Sequence, residues 1–312
     1  MRWVTYRSPA DGRERAGLLR DGEVRAPDAT ASLLGLIEAD GGLAAAAAQA
    51  ERAPAEVVDA AGLRLRAPIP RPPAVRDFLA FEEHLRNAVK ALGRTDLPEA
   101  WFEQPVFYFT NPAAICGPDE DIAISPGSAA FDYEVEVAAV IGRRGENLTP
   151  DDAEAHIAGY TVLCDWSARD LQKRESTIGL GPVKGKDSAT SLGPVLVTPD
   201  ELEPYRSGSG FTLAMSGSVN GQRYGGGSWS DIYWSFGQMI AYASRGTHLR
   251  PGDVIGSGTV GTGCILELSG LYGSERYPWL QPGDTVRIEV EELGAVTGRI
   301  TAGVEPVPLK PG

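Results

Sequence analysis

The stretch that decides the fold is Phe131-Asp132-Tyr133-Glu134-Val135-Glu136-Val137-Ala138-Ala139-Val140-Ile141. It alternates at first and then becomes apolar on both faces, which is typical of a strand that enters the core of a sheet. We therefore predict a strand over residues 132–141, on which Asp132, Glu134 and Glu136 share one face. Three carboxylates in a row repel one another unless a positive charge lies above them, and a divalent cation would supply that charge.

The same alternation of glutamates is ordinary on half-exposed strands, and Glu289-Val290-Glu291 repeats it near the other end of the chain. This second pair follows a Pro-Gly-Asp turn and has Arg287 on the same strand face. We interpret it as part of a solvated surface strand. For Glu134 and Glu136, the alternation alone leaves a surface strand and a cation site both open.

A second informative segment is Gly159-Tyr160-Thr161-Val162-Leu163-Cys164-Asp165-Trp166-Ser167-Ala168-Arg169-Asp170-Leu171-Gln172. An apolar strand, predicted over residues 161–165, ends at Asp165, where this carboxylate can complete the oxygen ligands of the preceding strand. A helix is predicted over residues 168–175. Arg169 and Gln172 are three residues apart and project from one helical face, so both can donate hydrogen bonds to an anionic substrate.

The other informative stretch is Asp77-Phe78-Leu79-Ala80-Phe81-Glu82-Glu83-His84-Leu85-Arg86-Asn87, with a helix predicted over residues 81–92. A histidine on such a helix is usually a surface residue, but its imidazole is also the common general base near neutral pH. The segment leaves both interpretations open.

Composition limits the class of protein. The chain has 312 residues, 42% hydrophobic residues and a formal net charge of -13, which argues against nucleic acid and anionic membranes as partners. Three widely spaced cysteines predict neither a zinc knuckle nor disulfides, and three histidines are few, so carboxylates select Mg²⁺, with Ca²⁺ or Mn²⁺ as alternatives. No long apolar run and no signal-peptide core occur, so we expect a soluble cytoplasmic protein.

The proline cluster Pro70-Arg71-Pro72-Pro73 predicts a stiff connector and a domain boundary. Residues 1–69 form a small N-terminal α/β unit with short strands and a helix over residues 32–50. Residues 70–312 are mostly β, with 38 glycines and 23 prolines in the whole chain, and favour a folded-over or barrel-like sheet rather than a doubly wound parallel one. One predicted strand covers residues 265–269.

One glycine-rich segment has the spacing of a dinucleotide-binding loop. Gly256-Ser257-Gly258-Thr259-Val260-Gly261 satisfies the dinucleotide pattern, but such a loop must open a helix whose N-terminus faces the pyrophosphate. Because we predict a strand at residues 265–269, we interpret the glycines as tight turns beside the site.

Asp-x-Glu-x-Glu followed by Asp-Trp-Ser-Ala-Arg-Asp-x-Gln resembles the fumarylacetoacetate hydrolase family. The resemblance continues through Leu180-Gly181-Pro182-Val183-Lys184-Gly185-Lys186, Leu249-Arg250-Pro251-Gly252-Asp253 and Ser257-Gly258-Thr259-Val260, and covers most of residues 70–300. It implies a β-roll catalytic domain with a smaller N-terminal domain, in a homodimer. It also implies a divalent cation on Glu134, Glu136 and Asp165.

The resemblance assigns roles to further residues. It implies that Asp77 is a fourth metal ligand, that His84 is the base that activates water, and that the distant Glu267 orients this base. Lys186, with Arg169 and Gln172, would face developing oxyanion charge, although Lys184 shares the predicted strand face and is an alternative. The remaining matched positions, which would contact the substrate, are Tyr108 and Thr259.

The implied activity is metal-dependent hydrolysis of a carbon–carbon bond in a small 1,3-diketone or 2-oxo acid. Alternatives are an isomerase, hydratase or decarboxylase of a 2-oxo acid on the same site, or a cyclase-like, non-hydrolytic pathway protein. Asn87, where many relatives carry glutamate, favours the hydrolase branch. Leu79 and Asn111 stand where enzymes that cleave fumarylacetoacetate carry a substrate-contacting tyrosine and an arginine. This argues against fumarylacetoacetate as the substrate and for a less acidic or bulkier ketone. Cys164 stands where the family usually has an asparagine, and the sequence gives no reason for this change.

Overall fold

The computed structural model describes residues 1–91 and 93–310. The strands of these residues are, in chain order, β1 (Arg2–Arg7), β2 (Glu14–Arg20), β3 (Glu23–Ala26), β4 (Glu56–Asp59), β5 (Leu65–Arg66), β6 (Val75–Phe78), β7 (Phe107–Thr110), β8 (Ile115–Cys116), β9 (Ile122–Ala123), β10 (Phe131–Asp132), β11 (Val135–Ile141), β12 (Gly145–Glu146), β13 (Ile157–Asp165), β14 (Ser167–Ala168), β15 (Thr190–Leu192), β16 (Leu196–Val197), β17 (Arg206–Ser207), β18 (Gly210–Phe211), β19 (Ala214–Val219), β20 (Gln222–Ser228), β21 (His248–Leu249), β22 (Val254–Gly256), β23 (Thr285–Val290) and β24 (Gly294–Thr301).

The α-helices are α1 (Leu33–Glu38), α2 (Gly42–Arg52), α3 (Glu82–Ala91), α4 (Glu99–Glu103), α5 (Pro150–Glu154), α6 (Arg169–Ser176), α7 (Pro199–Leu202), α8 (Phe236–Ala243) and α9 (Ile265–Tyr272). Short 3-10 turns cover Pro112–Ala114, Glu203–Tyr205 and Trp229–Asp231. None of the helices in the described part of the chain is both long and apolar enough to cross a membrane.

Two sheets form the body of the molecule. The larger has 13 strands, with β4-β3-β2-β1-β16-β13-β11-β22-β6-β7 as its continuous path, and the smaller has the order β20-β19-β23-β24-β9. Most strand pairs are antiparallel, whereas β22 and β6 run parallel. The fold is therefore a sheet-dominated α+β fold, as the sequence predicted.

Strand β11 lies between β13 and β22 and is buried along its whole length. Its odd-numbered residues, such as Val135 and Val137, join the core that contains Ile288 and Val290 of the smaller sheet. Its even-numbered Ala138 and Val140 join a second core under the N-terminal helices. Glu136 lies on the same strand face as Ala138 and Val140 and precedes them along the chain. Its carboxylate is therefore buried at the end of the sheet.

The helices of the N-terminal unit pack on the face of the large sheet that carries Ala138 and Val140. Strand β1 of the unit pairs with β16, so the sheet continues from this unit into the larger one. The helix predicted over residues 32–50 is two helices, because the chain turns at Gly41 and Gly42, whose φ angles of 79° and 55° lie in the left-handed region. The domain boundary at residues 69 and 70 stays a prediction.

Two further predictions about local structure are wrong in detail. The strand predicted over residues 132–141 is interrupted: Phe131–Asp132 pairs with β14, and the long strand begins at Val135. The strand predicted over residues 265–269 is the start of helix α9. The predicted helix over residues 81–92 corresponds to α3, and its last residue, Leu92, lies outside the described residues.

Candidate metal and acid–base site

Three carboxylates from neighbouring strands meet at one end of the large sheet. Asp77 comes from β6, Glu136 from β11 and Asp165 from the end of β13, in a region where the strand order is β13-β11-β22-β6. The intervening strand β22 ends at Gly256, which is in register with Asp77 and with Ala138 of β11. A Cβ atom at Gly256 would lie 2.5 Å from Asp77 Oδ1 and 3.3 Å from Glu136 Oε2, so glycine is required for the two carboxylates to meet across the strand.

These three residues fit a hard divalent cation. One carboxylate oxygen from each of Asp77, Glu136 and Asp165 lies within 4.8 Å of the others. Asp77 Oδ1, Glu136 Oε1 and Asp165 Oδ1 are buried and accept no hydrogen bond from the described residues. Unsatisfied buried carboxylate oxygens are rare in native proteins unless an ion or water satisfies them, and an all-oxygen set is what Mg²⁺, Ca²⁺ and Mn²⁺ prefer.

The charge balance of the site supports the same interpretation. Burial raises the pKa of Asp77 and raises the pKa of Asp165 well above its ordinary range. For Glu136, burial and then the nearby carboxylates of Asp77 and Glu134 raise the pKa well above its ordinary value. Each of these shifts reflects negative charge that lacks a sufficient counter-charge, which a bound cation would supply.

Glu134, the other predicted metal ligand, faces two cationic side chains. Its Oε1 accepts a hydrogen bond of 2.7 Å from Arg169 Nη2, and its Oε2 accepts one from Lys186 Nζ. Burial alone would raise the pKa of Glu134, but Lys186 and Arg169 outweigh that effect and hold the pKa well below its ordinary range. Lys186 Nζ also donates to Asp165 Oδ2 at 2.5 Å, so this ammonium group bridges Glu134 and the triad.

The other residues predicted to contact substrate lie around the same cavity. Tyr108 Oη donates to Asp165 Oδ2 at 2.5 Å and is 3.0 Å from Asp77 Oδ2, so the phenol binds the carboxylates themselves. Gln172 Oε1 accepts from Arg169 Nη1 at 3.2 Å, and Gln172 lines the cavity together with Thr259. The sequence alternative Lys184 is exposed and pairs with Asp187.

His84 and Glu267, separated by most of the chain, lie together at the cavity wall. His84 Nδ1 is 2.9 Å from Glu267 Oε2, although the ring is not aligned for a straight N–H donation, and both side chains are buried. Glu267 Oε1 accepts hydrogen bonds of 2.9 Å from Asn87 Nδ2 and from the backbone N–H of Thr262. Cys264 Sγ lies 3.3 Å from Glu267 Oε2, so this carboxylate is held from several sides.

Asn87 and Cys264 are contributors that sequence reasoning did not assign to this cluster. Asn87 follows His84 by three residues on α3, so helical spacing was a signal that the two side chains share a face. Cys264 carried no comparable signal, because it meets Glu267 only after α9 forms. Cys164, another departure from the family pattern, packs in the apolar core that also contains Val135 and Val137. Burial there raises the pKa of its thiol well above the ordinary value.

Asp132 explains why a helix forms where a strand was expected. Its carboxylate accepts hydrogen bonds from the backbone N–H groups of Ile265 at 2.7 Å and Leu266 at 3.0 Å, and so caps the N-terminus of α9. Arg169 Nε donates to the same carboxylate at 2.8 Å. A helix does follow the glycine motif, but its N-terminus already binds Asp132, so that motif does not present a pyrophosphate site.

A cavity of about 730 Å³ opens beside these groups. The residues predicted to act in catalysis or binding that line it are Asp77, His84, Tyr108, Glu134, Glu136, Arg169, Gln172, Lys186 and Thr259. Leu79 also lines it, whereas Asn111 caps a 3-10 turn and donates to the carbonyl of Asp187. The cavity therefore borders two carboxylates of the triad, the His84 ring and the cationic side chains of Arg169 and Lys186.

Comparison with known proteins identifies the class to which this fold and site belong. Residues 74–301 match the family model for the C-terminal domain of fumarylacetoacetate (FAA) hydrolase. The chain belongs to the fumarylacetoacetate hydrolase family and is an enzyme of that superfamily.

Relatives of known name include two oxaloacetate tautomerases. The chain is 31% identical to the oxaloacetate tautomerase YisK of Bacillus subtilis over 76% of this chain and 73% of that protein. It is 34% identical to the mitochondrial oxaloacetate tautomerase FAHD2A of Homo sapiens over 64% of this chain and 59% of that protein. The shorter coverage means that the activity of that whole protein does not transfer directly.

Solved structures show the same fold over nearly the whole chain. A fumarylacetoacetate hydrolase from psychrophilic Exiguobacterium antarcticum has a TM-score of 0.73 at 28% identity, over 97% of this chain and 99% of that chain. A 5-carboxymethyl-2-hydroxymuconate delta-isomerase from Mycobacterium smegmatis has a TM-score of 0.69 at 25% identity, over 97% of this chain and 100% of that chain. The predicted fumarylacetoacetase-type fold is confirmed.

Proposed function

We propose that this protein is a metal-dependent hydrolase that cleaves a carbon–carbon bond in a small 1,3-diketone or 2-oxo acid, with a 2,4-dioxo acid as the simplest substrate of both kinds. The observation that carries the proposal is the buried approach of His84 Nδ1 to Glu267 Oε2, at 2.9 Å, where His84 lines the same cavity as Asp77 and Glu136. A carboxylate that faces one imidazole nitrogen fixes the ring and stabilises its protonated form. The other nitrogen, Nε2, is left to act on a water molecule.

The proposed steps follow from these positions. His84 Nε2 takes a proton from water, and the hydroxide adds to the C4 carbonyl carbon of the 2,4-dioxo acid. The C3–C4 bond then breaks, its electron pair forms the enolate of the 2-oxo acid product, and His84 returns the proton to C3. Glu267 holds the imidazolium between these two transfers.

Positive charge stabilises the enolate and the substrate carboxylate. Arg169, Lys186 and Gln172 line the cavity with donors, and the cations are already oriented by their contacts with Asp132, Glu134 and Asp165. Donors held in advance of the reaction stabilise developing charge more effectively than donors that must reorganise.

A divalent cation, Mg²⁺ in the first instance and Ca²⁺ or Mn²⁺ as alternatives, would be held by Asp77, Glu136 and Asp165, and when bound would polarise the substrate carbonyl. Glu134, the fourth predicted ligand, would join them, because each of its oxygens accepts one hydrogen bond from Lys186 or Arg169 and keeps a lone pair for a cation. This ligand set is part of the proposal.

A second candidate is the tautomerisation or isomerisation of a 2-oxo acid. The identity to two oxaloacetate tautomerases favours it, and the same His84 Nε2 can move a proton between C3 and the enol oxygen. Hydration, decarboxylation and a cyclase-like role without hydrolysis would use the same binding groups. Identification of the reaction products distinguishes them from hydrolysis and from tautomerisation.

The test is turnover of acetylpyruvate and of oxaloacetate by the purified protein with Mg²⁺, with products identified by NMR. Hydrolysis predicts pyruvate and acetate in equal amounts from acetylpyruvate. His84→Ala should lower kcat by about 10²–10⁴-fold, the usual contribution of a general base. The matched control is His248→Ala on β21, remote from the cavity lining, which should retain activity.

Each outcome decides between the candidates. Accelerated enol–keto exchange of oxaloacetate without cleavage of acetylpyruvate would replace hydrolysis by tautomerisation. Full activity of His84→Ala on the true substrate would exclude His84 as the base in either reaction.

The predicted homodimer and cytoplasmic location belong to the proposal as well. Light scattering of the purified protein tests the oligomeric state. The human relative is named as mitochondrial, so localisation of a tagged full-length protein tests the second prediction.

A further inference from the structure

The cavity is larger than the proposed reaction requires. Its volume of about 730 Å³ lies within the range of sites that enclose ligands of drug size, about 300–1,000 Å³. Asp77, Glu136 and His84 supply polar groups to its lining. The rest of the lining therefore determines what the substrate carries beyond its reacting carbonyl groups.

Helix α3 forms one wall of this additional space. His84, Ala88 and Ala91 line the cavity and follow the i, i+4, i+7 spacing of one helical face. At 1.5 Å per residue, this face extends about 10 Å along the helix from the base. The two alanines leave room above the helix, whereas Leu85 borders the cavity and packs towards Trp101.

Other apolar side chains surround the same space. Leu79, Val106 and Leu266 line it, and Val106 is 39% exposed. Helix α9 closes on α3 beyond Leu266, where a Cβ atom at Gly270 would lie 2.7 Å from Ala91 Cβ. The space is thus bounded by apolar groups from two helices and two loops.

The cations that line the cavity come from α6 and from the loop before β15, not from α3 or α9. Arg169 and Lys186 are committed to buried carboxylates, and Lys173, which is exposed, lines the cavity from α6. The basic residues of α3, Arg86 and Lys90, are exposed and do not line the cavity. A carboxylate at the far end of a substrate would meet no cation from α3 or α9.

We infer that the substrate carries a linear apolar tail, which lies along the face of α3 that carries Ala88 and Ala91, against Leu266. This inference rests on the proposed function for the polar end of the molecule, and it names the substrate class as a 2-oxo or 2,4-dioxo acid with a medium-length alkyl chain. The base and the wall for the tail are on one helix, so binding of the tail positions the carbonyl groups relative to His84.

The experiment compares two homologous series with the full chain and Mg²⁺. The first measures kcat/KM for 2,4-dioxo acids with acetyl, butanoyl and hexanoyl groups. The second measures Kd by calorimetry for pyruvate, 2-oxohexanoate and 2-oxooctanoate, which needs no turnover. Each buried methylene should improve both quantities about fourfold, so the hexanoyl substrate should exceed the acetyl substrate by roughly 200-fold.

Variants locate the tail. Ala91→Leu and, independently, Ala88→Leu fill the groove, and each should reduce the hexanoyl-to-acetyl ratio of kcat/KM at least about tenfold, because several methylenes lose their site. Ala48→Leu, on the exposed face of α2, is the matched control and should keep the ratio. The ratio is internal to each variant, so partial loss of folded protein does not change it.

Failure of the inference differs from failure of the proposed function. Turnover with no dependence on chain length, or a preference for chains that end in a carboxylate, overturns the apolar tail and leaves the reaction standing. Chain-length dependence of 2-oxo acid binding without any turnover supports the tail site and overturns the hydrolase.

Discussion

The segments Glu134-Val135-Glu136 and Glu289-Val290-Glu291 contain the same three residues in the same order, and the protein uses them in opposite ways. Val135 and Val290 are both fully buried. The glutamates of the first segment are buried as well, whereas Glu289 is 52% exposed and pairs only with Arg287, itself 50% exposed. Alternation therefore indicates a strand in both places but not the environment of its polar face.

The difference arises from what covers that face. The strand β23 lies in the smaller sheet with Glu289 towards solvent, and Glu291, which directly follows the strand, is exposed as well. The segment before and within β11 is enclosed by β22, β13 and helix α9, and the enclosure includes Arg169, Lys186 and the triad. We therefore expect the same type of substitution to have a large effect near Glu134-Val135-Glu136 and a small one near Glu289-Val290-Glu291. Both effects can be measured.

The largest effect is expected from the two arginines. Arg169→Met leaves Asp132 and Glu134 buried without their partner, which should lower the free energy of unfolding by about 3–5 kcal/mol. Arg287→Met removes a half-exposed pair and should cost less than about 1 kcal/mol. Urea denaturation measures both, and equal losses would contradict the comparison.

The next effect concerns cation binding. Glu136→Gln should weaken Mg²⁺ binding by at least about 100-fold, since even partners outside a ligand set contribute 10–100-fold. Without Mg²⁺ the variant should be no less stable than the parent, because it removes a charge from a crowded group of buried carboxylates. Glu289→Gln is the matched control; calorimetric titration with Mg²⁺ that gave the same affinity for both variants would refute the triad.

The smallest of the three effects is expected at Asp132. Asp132→Asn keeps one acceptor for the N-terminus of α9 but loses the charged partner of Arg169, at a cost of about 1–3 kcal/mol. Glu291, which accepts only an exposed hydrogen bond from Ala214, should lose less than about 0.5 kcal/mol when replaced by glutamine. Because Asp132 also caps the helix that carries Glu267, kcat of Asp132→Asn should fall with its stability; unchanged kcat would separate the two roles.

The parts of the site that sequence reasoning identified are those with a local pattern or a family motif. The apolar run that follows the alternation indicated the buried course of β11, and the spacing of Arg169 and Gln172 indicated one helical face. The motif match assigned Asp77, His84 and Glu267, which lie around one cavity in the structure. Their catalytic roles stay predictions.

Sequence reasoning failed where a distant residue determines local structure. Residues 265–269 alternate as a strand would, but the carboxylate of Asp132 caps the first N–H groups of this segment and stabilises a helix. The contact spans 133 positions along the chain, so no local window contains it. The hydrogen bonds of Glu134 met the same limit, because its two cationic partners come from α6 and from the loop before β15. Its role as a metal ligand stays a prediction.

The sequence by itself determined a sheet-dominated fold with a carboxylate-rich strand entering its core, since burial follows from the local order of polar and apolar residues. Only the tertiary structure decided which carboxylates meet. Asp77, Glu136 and Asp165 face one another because three strands align across Gly256, whereas Glu134 turns to Arg169 and Lys186. The physical reason is that a buried charge takes the nearest counter-charge or donor, and folding, not sequence separation, sets that distance.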